Sequence, residues 1–331
     1  MNVSAAALPK RLMFPALRLL ADGEFHSGEA LARQLGVSRA SINNALRDAG
    51  RYGLSLYSVR GRGYRLVEPP QWLDAERVRA ALETPEVFHI ETADSVTSSN
   101  AVLLQRAAQG APGGSVLAAE WQSAGRGRLG RAWHSGLGNA LTFSLLWRFP
   151  FGLSALSGLS LAVGVALMRA LRKLDVAQVA LKWPNDVLNG QGKLAGILIE
   201  AQGDMLGPSA AVIGIGLNLR LPPAVLRHID QPASDLAQEV DVLPERNRLL
   251  ALILQELSEM LAGFARQGFA PLRAEWEGYH AYQGRQVRML LPDGVRVVGV
   301  ARGVTDAGAL RVETPQGVQV FNAGEIGLRE A

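Results

Sequence analysis

Residues 125–133 read Gly-Arg-Gly-Arg-Leu-Gly-Arg-Ala-Trp, which sets Arg126, Arg128 and Arg131 among Gly125, Gly127 and Gly130 and closes on Trp133. Glycine lets backbone come close to a ligand and move. Arginine grips carboxylate or phosphate oxygens with a planar fork. Together they suit a polyanion, with an indole placed to stack on a base. The run reads as a mobile loop that closes over phosphates. The plainer reading is a basic surface loop that touches DNA. A bare GxGxxG is a weak signal, and no Rossmann pattern precedes this one.

Two further runs carry chemistry. Lys182-Trp-Pro-Asn-Asp186 ends a strand, where ligands sit in α/β sheets, and Asn185 and Asp186 after a proline make a tight turn that points polar groups outward. An ordinary β-turn is the alternative. Lysine is scarce, four residues beside thirty arginines, and Lys182 and Lys193 both fall in such motifs. Gly192-Lys-Leu-Ala-Gly-Ile-Leu-Ile-Glu200 continues from Lys193 as an apolar strand. Gly196 inside it marks close approach of a ligand or simply a packing contact. Thr97-Ser-Ser-Asn100 opens a helix, as an N-cap cluster or as hydrogen-bonding groups for a small polar ligand such as a urea. Residues 214–218, Gly-Ile-Gly-Leu-Asn, read as a buried strand that ends in one polar group, Asn218.

These motifs need a large core to hold them. The chain has 331 residues, 48% hydrophobic and 19% charged, which fits two or three folded domains. Cysteine is absent, which excludes disulfides, thiolate metal sites and a cysteine nucleophile and fits a reducing cytoplasm. The five scattered histidines show no ligand spacing, so no zinc site is expected. The N-terminal residues lack an uninterrupted apolar region, so no export signal is expected. The uncharged run 149–168 reads as a buried helix in preference to a membrane span. Residues 1–68 carry ten basic and five acidic side chains, while the whole chain is +4. A basic head on a neutral body points to nucleic acid as the head's partner.

The head reads as helix, turn, helix and hairpin: residues 12–21, then 27–35 capped by Ser27, a turn at Gly36, then 39–49 capped by Ser38. Two strands follow around a tip with Arg60 and Arg62, making a winged helix. After Glu68-Pro-Pro-Gln, strands at 115–121, 140–147, 179–183, 194–200 and 210–219 alternate with helices at 99–109, 153–174 and 246–267. Residues 284–329 alternate as β throughout, with turns at 292–294, 305–308 and 314–317, like a small meander barrel. The expected division is 1–68, a linker at 69–84, then 85–278 and 279–331.

The motifs GRGRLGRAW, KWPND, GKLAGIL and GIGLN, in this order, resemble the bacterial biotin–protein ligases of the type that also represses biotin synthesis. The resemblance covers nearly the whole chain. It implies a multi-domain α/β (α+β) fold: an N-terminal winged helix-turn-helix, a central domain related to class II aminoacyl-tRNA synthetases, and a C-terminal SH3-like β-barrel. It implies that biotin and ATP form biotinyl-5′-adenylate and pyrophosphate, and that a lysine of the biotin carboxyl carrier protein of acetyl-CoA carboxylase then attacks the mixed anhydride. Attack of a carboxylate on phosphorus asks for positioning and charge neutralisation more than for a general base. No protein-held metal is expected, and Mg²⁺ would arrive on the ATP phosphates.

By the resemblance, Ser98, Ser99, Asn100, Gln122, Gly125, Arg126, Gly127, Arg128, Lys193 and Gly196 bind biotin, with Ser99 in place of the family's threonine. Arg128, Arg131, Trp133, Lys182, Asn185, Lys193 and Asn218 bind ATP or the adenylate. Lys193, Arg126, Arg128 and Asp186 carry the chemistry, Asp186 as a candidate base for the acceptor lysine. Ser38, Arg39, Ser41, Asn43, Asn44, Arg60 and Arg62 face operator DNA. A cytoplasmic protein that dimerises when the adenylate orders its loops is implied. Gly50 near the end of the third head helix, the recognition helix, departs from the pattern, since glycine inside a helix costs about 1 kcal/mol, so that helix is expected to stop early. A ligase whose head no longer represses is the alternative, followed by a biotin sensor without catalysis and a lipoate or octanoyl transferase.

Overall fold

The computed structural model describes residues 12–190, 192–290, 296–322 and the backbone of 327–330. Residues 1–11 of the stretch read as lacking an export signal and the turn at 292–294 lie outside these residues.

Met13–Leu19 (α1), Gly28–Gln34 (α2) and Arg39–Leu46 (α3) form the helical part of the head, and Leu56–Val59 (β1) pairs antiparallel with Gly63–Leu66 (β2) as the wing. Both expected caps are present: Ser27 Oγ accepts from Ala30 N–H and Ser38 Oγ from Ser41 N–H. α3 stops at Leu46 and a 3-10 turn over Ala49–Tyr52 follows, so the helix expected to reach residue 49 is shorter. Leu17, Leu20, Leu31, Ile42 and Leu66 are fully buried between these elements.

Residues 69–84, expected as a linker, fold onto the central domain. Within them Ala75–Ala80 (α4) buries Val78 in the main core. Before it, Arg246 and Glu120 form a buried ion pair at 2.7 Å, and both grip the chain: Arg246 Nη1 donates to Gln71 O and Glu120 Oε1 accepts from Leu73 N–H. A buried charge is tolerable only when paired and hydrogen-bonded, which fixes this segment in place.

The central domain runs His89–Val96 (β3), Ser99–Ala108 (α5), Ser115–Gln122 (β4), Ala140–Phe149 (β5), Leu159–Arg172 (α6), Val179–Lys182 (β6), Asp186–Asn189 (β7), Gly192–Gly203 (β8), Ser209–Asn218 (β9), Pro223–Leu226 (α7), Arg246–Gln267 (α8) and Arg273–Tyr279 (α9). Its seven-stranded sheet has the order β3-β4-β5-β9-β8-β7-β6, with β3 parallel to β4 and the other neighbours antiparallel. α6 and α8 pack together on one face. The helix expected over 153–174 begins only at Leu159, after Gly158 at φ +80°, a value glycine adopts freely. Among the described residues no helix is long and apolar enough to cross a membrane.

Gln286–Leu290 (β10), Arg296–Val304 (β11), Leu310–Thr314 (β12), Gly317–Phe321 (β13) and Gly327–Glu330 (β14) form a small antiparallel sheet in the order β13-β12-β11-β10-β14. It touches the central domain at the Lys182–Asp186 turn, where Trp183 Nε1 donates to Gly308 O at 3.0 Å. The head is joined more intimately. Tyr52 meets Trp121 edge-on at 5.2 Å, Leu137 N–H donates to Tyr52 O at 2.8 Å, and Trp121 and Leu137 are buried in the head's own core.

Candidate active site

A cleft of about 460 Å³ opens between the start of α5, the middle of β8 and β9, and loop 125–133. Its two ends differ in chemistry.

One end is neutral. Ser98 caps α5, which turns Ser99 and Asn100 into the cleft. Gln122 Oε1 accepts from Ser99 N–H at 2.7 Å and from Ser99 Oγ at 3.1 Å. Ser144 Oγ lies 2.7 Å from Ser99 Oγ and donates to Asn100 Oδ1 at 2.5 Å. Asn100 fits there because residue 214 is glycine: a Cβ would stand 2.2 Å from Asn100 Oδ1. The result is a set of fixed, uncharged donors and acceptors.

The other end is cationic. β7 and β8 slip register between Val187 and Leu188 and bring Lys193 to Asp186, Nζ to Oδ1 2.7 Å. The two are close as an ion pair, but Oδ1 lacks a partner in hydrogen-bond geometry. Lys193 lies along Gly196, whose added Cβ would stand 2.9 Å from Nζ. Arg128 Nη1 donates to Asn185 Oδ1, whose Nδ2 donates in turn to Ile197 O. Burial lowers the pKa of Arg128, and the Asp186 carboxylate pulls it the other way. Asn185 thus lines the cleft, on the hairpin turn that the proline predicts, and Asp186 next to it meets the cleft's Lys193.

The loop closes on itself as a narrow ribbon. Gly127 N–H donates to Arg131 O and Trp133 N–H to Gly125 O. A Cβ on Gly125 would stand 2.7 Å from Trp133 O, so the ribbon requires glycine there. Leu129 forms the exposed tip at φ +56°. Trp133 lies over Gly216 and Gly196, which face each other across β8 and β9. Its Nε1 is buried without a partner, and Lys193 Nζ stands 5.8 Å from its ring.

Ser98, Ser99, Asn100, Gln122, Arg126, Gly127, Arg128, Trp133, Asn185, Lys193 and Gly196 therefore line one cleft. Five expected residues, Gly125, Arg131, Lys182, Asp186 and Asn218, do not. Arg131 is exposed on the ribbon, and Lys182 stands beyond the cleft lining. Asn218 is buried behind Lys193 and donates to Lys193 O and Ser234 O, which fixes the backbone of Lys193. Sequence reasoning missed Ser144 and Glu200. The polar pair Thr142 and Ser144, two apart in an apolar strand, shares one face and was the available signal. On the head, Arg39, Asn43 and Asn44 are exposed along α3 and Arg60 and Arg62 on the wing. Ser38 and Ser41 bond each other, Asn43 accepts from Tyr64 and Arg62 stacks 4.1 Å over Phe25.

The cleft thus sets neutral hydrogen-bonding groups at one end and Lys193 and Arg128 at the other, with an arginine ribbon over both, an arrangement that suits a small ligand with an anionic end. Comparison with known proteins agrees. Residues 92–218 match the biotin/lipoate A/B protein ligase family, residues 282–329 the biotin protein ligase C-terminal domain, and residues 15–65 an HTH domain. The bifunctional ligase/repressor BirA of Salmonella typhimurium is 38% identical over 95% of this chain and 97% of its own. A biotin–[acetyl-CoA-carboxylase] ligase of Mycobacterium tuberculosis is 37% identical over 69% of this chain and 85% of its own. The Aquifex aeolicus biotin protein ligase solved with biotin and ATP is 27% identical, covers 73% of this chain and 98% of its own, and superposes with a TM-score of 0.62. The chain belongs to the bifunctional biotin ligase/repressor family.

Proposed function

We propose that this chain activates biotin with ATP and transfers it to a lysine of a carboxylase carrier domain, and that its winged helix represses transcription at operator DNA. The pairing of a neutral end with a cationic end in one cleft carries the reading. Biotin has a ureido ring at one end and a carboxylate at the other. Ser99, Asn100 and Gln122 suit the ring, and Lys193 and Arg128 suit the anionic end.

In the first step a carboxylate oxygen bonds to the α-phosphorus of ATP, the bond to the β-phosphate breaks, and pyrophosphate leaves. The nucleophile is already ionised, so the protein supplies alignment and positive charge. Lys193 and Arg128 neutralise the developing charge, and Trp133 flanks the base. Among the described residues no group of three acidic or histidine side chains could hold a metal. Asp186 and Asn185 offer oxygens to a magnesium ion carried on the phosphates, where it would neutralise charge. In the second step the acceptor amine attacks the acyl carbon and AMP leaves. The amine must lose a proton, and in this reading Asp186, beside Lys193, accepts it. Closure of the ribbon by Arg126 and Arg128 retains the adenylate until then. Dimerisation on adenylate binding belongs to the same reading, supported by Met205 and Leu206, exposed together at the β8–β9 turn, as does a cytoplasmic location.

Biotin-dependent ATP–pyrophosphate exchange tests the chemistry. Exchange is expected in the parent protein. Arg128→Gly is expected to leak adenylate and label bystander proteins, and tight retention by that variant would show the ribbon has another role.

A further inference from the structure

We infer that Glu200 is a positioning residue that ties the neutral end of the cleft to closure of the arginine ribbon. The inference rests on the ligase reading. On β8 the residues at 196, 198, 200 and 202 share one face. Asn100 Nδ2 donates to Leu198 O at 3.2 Å and to Glu200 Oε2 at 3.0 Å, and further along Gln202 donates to Leu104 O. Arg126 Nη2 donates to the same Glu200 oxygen at 2.9 Å. A single carboxylate oxygen thus holds both a residue that lines the ring end and the arginine at the base of the ribbon.

The geometry gives this contact direction. Both Nδ2 hydrogens of Asn100 are engaged by β8, and its Oδ1 takes the hydroxyl of Ser144. The amide has one orientation that satisfies every partner. A ligand that bonds to Asn100 steadies it, and the steadied Asn100 fixes the carboxylate that Arg126 must reach. Arg126 is otherwise a half-exposed side chain on a glycine ribbon, and Glu200 is the carboxylate it pairs with across the cleft. An ion pair as exposed as this is weak, and salt weakens it further. The expected effect is therefore on how long the ribbon stays shut, and it is modest.

The test measures release of biotinyl-adenylate, supplied ready-made, from the full chain, from Arg126→Ala, from Glu200→Gln and from the double variant. Each single substitution is expected to speed release by about three- to fivefold, the scale of a half-exposed pair. The double variant is expected to be no faster than the faster single, because both remove one interaction. Raising salt should speed release more in the parent than in Glu200→Gln, which keeps only the screening of the contacts to the adenylate's phosphate. Glu200→Asp, which keeps the charge, should retain the salt dependence, and so should Arg126→Lys if Glu200→Gln does not fold. Additive effects, or parental release and salt dependence in Glu200→Gln, would overturn the role of Glu200. Failure of the parent to make adenylate from biotin and ATP would instead overturn the ligase reading, and the measurement on supplied adenylate still decides the coupling.

Discussion

Lys193 and Asp186 meet across a register slip between neighbouring strands, their charges 2.7 Å apart and both side chains largely buried. On the proposed ligase reading, the pair sets a fixed cation beside the reacting carboxylate and phosphate, with a carboxylate next to it for the incoming amine. Lys193→Ala is expected to lower the rate of exchange by roughly a hundredfold or more, the loss seen when one preorganised charge-stabilising donor is removed. Asp186→Asn should slow transfer from preformed adenylate to a carrier domain. Normal transfer by that variant, followed in single-turnover assays, would remove Asp186 as the base.

Two glycines on β9 should separate the substrates. A Cβ on Gly214 would stand 2.2 Å from Asn100 Oδ1, and one on Gly216 would stand 2.3 Å from the Trp133 ring. Gly214→Ala should raise the KM for biotin, and Gly216→Ala the KM for ATP, each by about tenfold. Both variants moving the same KM would mean that the ends of the cleft are misassigned.

The head should bind DNA through two kinds of contact. Arg60→Ala, at the wing tip, should lower the salt slope of binding by about one phosphate contact without changing sequence preference. Arg39→Ala, at the start of α3, should relax preference at one base position. Gel shifts with the chain's own biotin-operon DNA across a salt series, with and without biotin and ATP, check both. No shift under any of these conditions would leave a ligase with a silent head.

His280 should set an acid limit on stability. Burial between Trp276 and Tyr282 pushes its pKa down to about 4 from an ordinary 6.5, and Nε2 is buried without a partner. The folded state disfavours the protonated ring, so the contribution is complete above pH 6.5 and is lost as pH falls toward 4. The shift corresponds to about 3 kcal/mol. Unfolding midpoints from pH 7 to 4 should fall less in His280→Gln than in the parent, and parallel curves would refute this.

The motifs that line the cleft were legible because each needs an unusual residue type at a fixed spacing. The arginine ribbon, the proline hairpin turn and Lys193 declare themselves in this way. Asn218 and Arg131 carried the right chemistry in the right motif but stand outside the cleft lining: Asn218 hydrogen-bonds backbone behind Lys193, and Arg131 is exposed on the ribbon. Side-chain direction in an irregular loop follows from tertiary contacts that periodicity does not encode. Glu200 was hidden for a different reason. It ends an apolar strand, and its two partners lie 74 and 100 residues away. Segment 69–84 looked like a tether because Pro69 and Pro70 open it, whereas Arg246, far along the chain, fixes it.

The edge contact of Tyr52 on Trp121 makes the head and the catalytic domain one folded object at that seam. Removing the first 68 residues would not release a finished enzyme. It would uncover an indole and the Leu137 side chain on the strand and loop that lead into the cleft. A shorter, catalysis-only descendant would first have to make that face wettable. Genetic divisibility in this chain thus runs ahead of physical divisibility, and substitutions at Trp121 and Leu137 are where the two could be brought into step.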